Sequence, residues 1–187
     1  MSLGVAFLTG QSLPGSCELS PLQHQFAQQL IRKGVHLEPL NFPYREDMQP
    51  YRPSSLLSAS FANICQYFCS RSRRFSDRYQ QQLRLLFDKH PHTLILAGSC
   101  GLELLNNLDL PAEYQQRVHV LAYGPVARHR SGFPCTLVQG RRDWLSWYFF
   151  PQTDFIIDCG HMNYLYSPEF LAVVKQQIDH LLADNHD

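Results

Sequence analysis

The chain has 187 residues, enough for one domain with a substantial buried core, and 44% of them are hydrophobic, which excludes a disordered protein. Its 16 Lys and Arg balance 16 Asp and Glu, so the basic excess of a nucleic-acid binder is missing and no nucleic-acid partner is expected. No apolar run approaches the roughly 20 residues of a membrane span, and the opening stretch has no basic leader, so it reads as a core strand of a cytoplasmic protein.

Strand and helix signals alternate along the chain. Val5-Ala6-Phe7-Leu8 is a continuous apolar run closed by Thr9-Gly10, as in a parallel strand buried on both faces. Ser20-Pro21 opens a helix, with serine as N-cap, proline at the first helical position and Gln23 three residues after the cap. Leu22, Phe26, Leu30 and Ile31 share its apolar face, and Gly34 ends it. Residues 35–40 alternate and carry Pro39, which suits a strand near the sheet edge. Residues 41–53 contain three prolines and form a surface loop.

Two helices are predicted next, over 55–69 and 76–89, joined by the solvated basic turn Arg71-Ser72-Arg73-Arg74. Tyr79, Leu83, Leu86 and Phe87 give the second the stripe of a helix packed on a sheet. Further strands are expected at 93–96, 118–123, 136–140 and 155–157, and a closing helix begins at Ser167-Pro168. Strands interleaved with helices imply an α/β three-layer sandwich, one domain over 1–187, with a mostly parallel central sheet and helices on both faces. The six cysteines are scattered, with no CxxC pair and no HExxH motif, so free thiols and no metal site are expected. Cys65 and Cys69, one helical turn apart, read as small apolar residues on a buried helix face.

Residues 93–106, TLILAGSCGLELLN, are the informative stretch. An apolar strand meets Ala97-Gly98-Ser99-Cys100-Gly101 and then a helical Leu102-Glu103-Leu104-Leu105. Ser99 stands at the apex with small residues two positions away on each side, the form of a nucleophile elbow. Chemistry in a parallel sheet gathers at the carboxyl ends of the strands. Those ends offer Thr9-Gly10-Gln11-Ser12, then Ser99, then Gly140-Arg141-Arg142-Asp143, and last Gly160-His161.

With A-G-S-C-G, G-R-R-D and G-H-M in that order on successive strand ends, the chain resembles the α/β-hydrolase family from Val5 to Leu182. The resemblance implies a serine hydrolase acting on an ester or thioester without a cofactor. Ser99 is the expected nucleophile, His161 the base and Asp143 the acid that orients it. It also implies an oxyanion hole from the backbone N–H groups of Cys100 and Gln11. Two members of the pattern depart: Thr9 stands where most relatives have histidine, and the short separation of Asp143 from His161 leaves no room for the usual helix between them. Residues 127–134 are too short for an inserted helical lid, so a small hydrolase without a lid is expected.

Each residue has a plainer alternative. Ser99 could be a small turn residue and His161 a loop cap. Asp154 and Asp158 are nearby acids, but one precedes the last strand and the other lies within its end, whereas Asp143 follows a strand. Cys100 as nucleophile would place the bulky Leu102 at a flanking position. Ser12, Trp144, Trp147 and Met162 are candidate pocket residues, with the run 144–150 either lining an acyl pocket or packing as core. Arg128, His129, Arg130, Arg141 and Arg142 could meet a carrier-bound acyl group or a carboxylated substrate, or simply be surface. The alternative to an enzyme is an inactive protein of the same fold that binds a small ligand or partner.

Overall fold

The computed structural model describes residues 2–45, 50–53 and 55–183; residues 46–49 of the proline-containing loop lie outside them. Six strands form one all-parallel sheet: β1 (Leu3–Thr9), β2 (Val35–Leu37), β3 (His92–Gly98), β4 (Val118–Tyr123), β5 (Cys135–Gly140) and β6 (Phe155–Ile157). Their spatial order is β2-β1-β3-β4-β5-β6, so the winding direction reverses between β1 and β3. Parallel neighbours need crossovers, and α1 (Pro21–Gln28), α2 (Leu56–Cys69), α3 (Arg73–Asp88), α4 (Gly101–Asn106) and α5 (Trp144–Phe149) lie in them, except that residues 124–134 join β4 to β5 without a helix; α6 (Pro168–Ala183) follows the last strand.

The two-residue alternation of the strands divides the core into two layers. Leu3, Val5, Phe7, Leu94 and Leu96 face Phe26 of α1 and Phe170, Val174 and Ile178 of α6. Ala6, Leu8, Ile95 and Ala97 face Leu83, Leu86 and Phe87 of α3 and Leu102, Leu104 and Leu105 of α4. A sheet buried on both faces explains why its central strands are mostly apolar. The α/β sandwich expected from the sequence is the fold observed. No helix among the described residues is long and apolar enough to cross a membrane.

Four local expectations are corrected. Helix α1 stops at Gln28, and Ile31 is 59% exposed beyond it, because residues 29–34 turn the chain back toward β2. Helix α3 starts earlier than expected, at Arg73, and takes up part of the basic turn. A short helix, α5, does fit between Asp143 and β6. Cys65 and Cys69 are exposed, because α2 carries its apolar residues outward, with Leu57, Phe61, Ile64 and Phe68 each more than half exposed.

Candidate active site

Ser99 follows β3 directly and has φ of 51°, a left-handed conformation that few residues with a side chain adopt. The strain is held by the sheet: Ser99 N–H donates to the Tyr123 carbonyl at 3.1 Å, and Val126 N–H donates to the Ser99 carbonyl at 3.0 Å. Helix α4 must leave this turn at once and pack on β1. A methyl group at Gly101 would overlap the Leu8 carbonyl oxygen, so the small residue after the elbow is a steric requirement.

Asp143 comes from the turn after β5, where it is also the N-cap of α5, its Oδ1 accepting the Ser146 N–H at 3.0 Å. His161 follows β6. Its Nε2 lies 3.1 Å from Ser99 Oγ, and its Nδ1 lies 3.0 and 2.9 Å from the two Asp143 oxygens. A carboxylate can only accept, so Nδ1 carries the ring proton and Nε2 presents a lone pair to the serine hydroxyl. The Asp143 side chain is fully buried, while that of His161 keeps 22% exposure at the site's mouth.

Tyr164 completes the support of the acid. Its hydroxyl donates to Asp143 Oδ2 at 2.7 Å and accepts the Gly140 N–H at 2.6 Å. Burial by itself would raise the Asp143 carboxyl, but hydrogen bonds from His161, the Ser146 N–H and Tyr164 outweigh it and hold the group below its ordinary value. Burial and the adjacent carboxylate push the Tyr164 phenol upward, so it remains a donor. Gly124, at φ of 53°, lets the two groups approach, because a methyl there would come within 2.7 Å of the Tyr164 ring and 3.0 Å of Asp143.

The loop after β1 is less simple. Gln11 N–H, expected to face a substrate oxygen, donates instead to Gln66 Oε1 of α2 at 2.7 Å. Asn63, one helical turn before Gln66, abuts Gly10 with its Oδ1 buried and without a hydrogen-bond partner. Helix α2 therefore covers the loop, a role not read from the sequence. The signal was present as two amides, Asn63 and Gln66, three apart in the otherwise apolar FANICQYFC. Cys100 is buried with its thiol pushed up to about 12 by desolvation, so it stays protonated and is a poor nucleophile.

Trp144, Trp147 and Met162 are 79%, 61% and 64% exposed, so they are not core. A groove of about 590 Å³ lies between α2, α3 and the loop after β1, and neither they nor Ser12 line it. Its walls include Gln11, Phe61, Ala62, Cys65, Gln66 and Tyr79.

Several basic residues are tied internally. Arg128 and Arg71 bond to Glu103, Arg130 to Asp154 and Arg142 to Asp158. Glu103 is wholly buried on α4. Desolvation would raise its carboxyl, but the Arg128 N–H and the side chains of Asn107 and Arg128 hold it below its ordinary value. No group of three or more His, Cys, Asp or Glu able to hold a metal exists among the described residues.

Searched against protein-family models and against curated proteins, the chain matches none.

Proposed function

We propose that this protein is a serine hydrolase that cleaves an ester or thioester through an acyl-enzyme on Ser99. The observation that carries this reading is the unbroken series from Ser99 Oγ to His161 Nε2 and from His161 Nδ1 to buried Asp143, at 3.1 and 2.9 Å. Supporting it is the strained backbone of the serine, of the kind that persists where surrounding structure over-determines it.

In this mechanism His161 Nε2 takes the hydroxyl proton as Ser99 Oγ attacks the acyl carbon. Asp143 keeps the imidazole in one tautomer and stabilises the imidazolium that forms. The same proton then passes to the leaving alcohol or thiol. Water, activated by His161 in turn, releases the acid and restores the serine. The oxyanion falls to the N–H groups of Cys100 and Gln11, and a donor of this kind contributes about 3 kcal/mol in a dry site. Gln66 must first release Gln11. Six free cysteines suit a reducing, cytoplasmic setting.

A second reading, a ligand-binding protein without turnover, draws on that same Gln66 contact, since a donor already engaged cannot stabilise an oxyanion. An active-site fluorophosphonate probe separates the two. Labelling of the wild type that disappears in Ser99→Ala supports the hydrolase; a folded protein that resists the probe favours the binding module.

A further inference from the structure

We infer that the groove between α2 and α3 is the acyl subsite and takes an unbranched, apolar acyl chain; the inference rests on the hydrolase reading above. The link is Gln11. It lines the groove and also carries the N–H that is the candidate oxyanion donor, so this one residue joins the groove to the proposed oxyanion site. The junction is held by Gln66, which belongs to the groove wall and occupies that donor with an amide carbonyl. A substrate carbonyl replacing Oε1 of Gln66 would leave its chain directed along α2.

The chemistry of the walls fits such a chain. Phe61, Ala62, Cys65 and Cys69 from α2 face Phe75 and Tyr79 from α3; Arg74 and Arg78 also line the groove, and no acidic residue does. The volume of about 590 Å³ lies within the roughly 300–1,000 Å³ of sites that enclose small ligands. The aromatic run 144–150, the other candidate from the sequence, sends Trp144, Trp147 and Tyr148 to solvent and supplies nothing to the groove. Burying a methylene accounts for about a threefold to fourfold gain in kcat/KM, so chain length should register strongly.

The test compares p-nitrophenyl acetate with p-nitrophenyl octanoate in the wild type and in Ala62→Trp, which fills the groove from a partly exposed position. Cys65→Trp, from an exposed position on the same helix, is the second variant should the first melt early. The wild type should prefer octanoate by at least about tenfold. The filled variants should lose that preference. Binding of octanoic acid to Ser99→Ala, followed by calorimetry, reads the groove without chemistry and should weaken at least tenfold when Ala62→Trp is added. If Ser99 reacts with the fluorophosphonate but the filled variants keep the octanoate preference, the groove is not the subsite and the hydrolase reading stands. If Ser99 is inert while octanoate binds and Ala62→Trp blocks it, the groove survives and the hydrolase reading falls. Failure of octanoate to bind Ser99→Ala, with no chain-length preference in the wild type, overturns the subsite outright.

Discussion

At the scale of single residues, the acid and the amide on α2 carry the sharpest consequences. Asparagine caps a helix as well as aspartate does, so Asp143→Asn should leave α5 and the fold in place. It removes the negative charge and offers an N–H to His161 Nδ1, favouring the wrong tautomer. Turnover of an activated ester should fall by roughly three to four orders of magnitude, with an unchanged circular dichroism spectrum. Survival of activity there, with loss in Asp158→Asn, would move the acid to the end of β6. Gln66 makes a prediction of opposite signs. Gln66→Ala frees the Gln11 N–H and should speed fluorophosphonate labelling about threefold, because no closed population remains to be displaced. Gln66→Glu places a carboxylate on the same donor and sets its charge beside the developing oxyanion, which should slow labelling about tenfold or more. Equal rates in both variants would detach Gln66 from the reacting centre. Ser99, Asp143 and His161 were legible in the sequence because each sits just after an apolar strand. Tyr164 was not, since its role as a donor to Asp143 exists only once the 3-10 turn Tyr164–Tyr166 folds under the acid.

At the scale of elements, the seat of α4 on β1 is the tightest contact at the site. Gly101→Ala puts a methyl against the Leu8 carbonyl oxygen, and backbone on both sides must shift. A loss of about 2–3 kcal/mol in urea unfolding is expected, together with slower labelling of Ser99 as the elbow moves. A change within about 0.5 kcal/mol would mean that α4 can slide freely. The helices also divide by how readable they were. In α3 and α6 one face is apolar, so periodicity names the buried side, and Leu83, Leu86, Val174 and Ile178 are in the core as expected. Helix α2 has large apolar residues on several faces, and its pattern cannot say which points inward; Tyr67 is buried at 9% while Phe68 beside it is 59% exposed. Helix α5 has only six residues, most of them aromatic, too short for any period to emerge.

At the scale of the whole molecule, two buried carboxylates set an acid limit on stability. Asp143 and Glu103 both ionise more readily folded than unfolded, each held by hydrogen bonds that outweigh the cost of burial. A folded value below the unfolded one means that the unfolded chain binds more protons in the interval between them. The stabilisation is therefore complete above the ordinary carboxylate range, about pH 4, and drains away as pH falls through the folded values. Urea midpoints should hold steady from neutral pH to about 5 and then decline. Glu103→Gln should start from a less stable protein, because Arg71 and Arg128 lose their partner, and show a shallower decline in acid. A parallel decline in both proteins would assign the acid limb to other groups. The sheet itself was the most legible level, since apolar or alternating runs with mostly helical spacers admit few arrangements. The cover that α2 lays over the first loop was not, because it depends on one side-chain amide meeting one N–H across the fold.

If Ser99 is the proposed nucleophile, chain order also governs when it can become reactive. Ser99 and His161 stand 62 positions apart in the chain, and Asp143 reaches the imidazole only after β5 and β6 have joined the sheet. During synthesis, at about 5–20 residues per second, the elbow leaves the ribosome seconds before its base exists. A nascent chain ending before β6 carries Ser99 with no imidazole beside it and so lacks the base that the proposed mechanism needs. On the hydrolase reading, probe labelling should arrive only with the last strand, which makes its acquisition a clock for completion of the sheet.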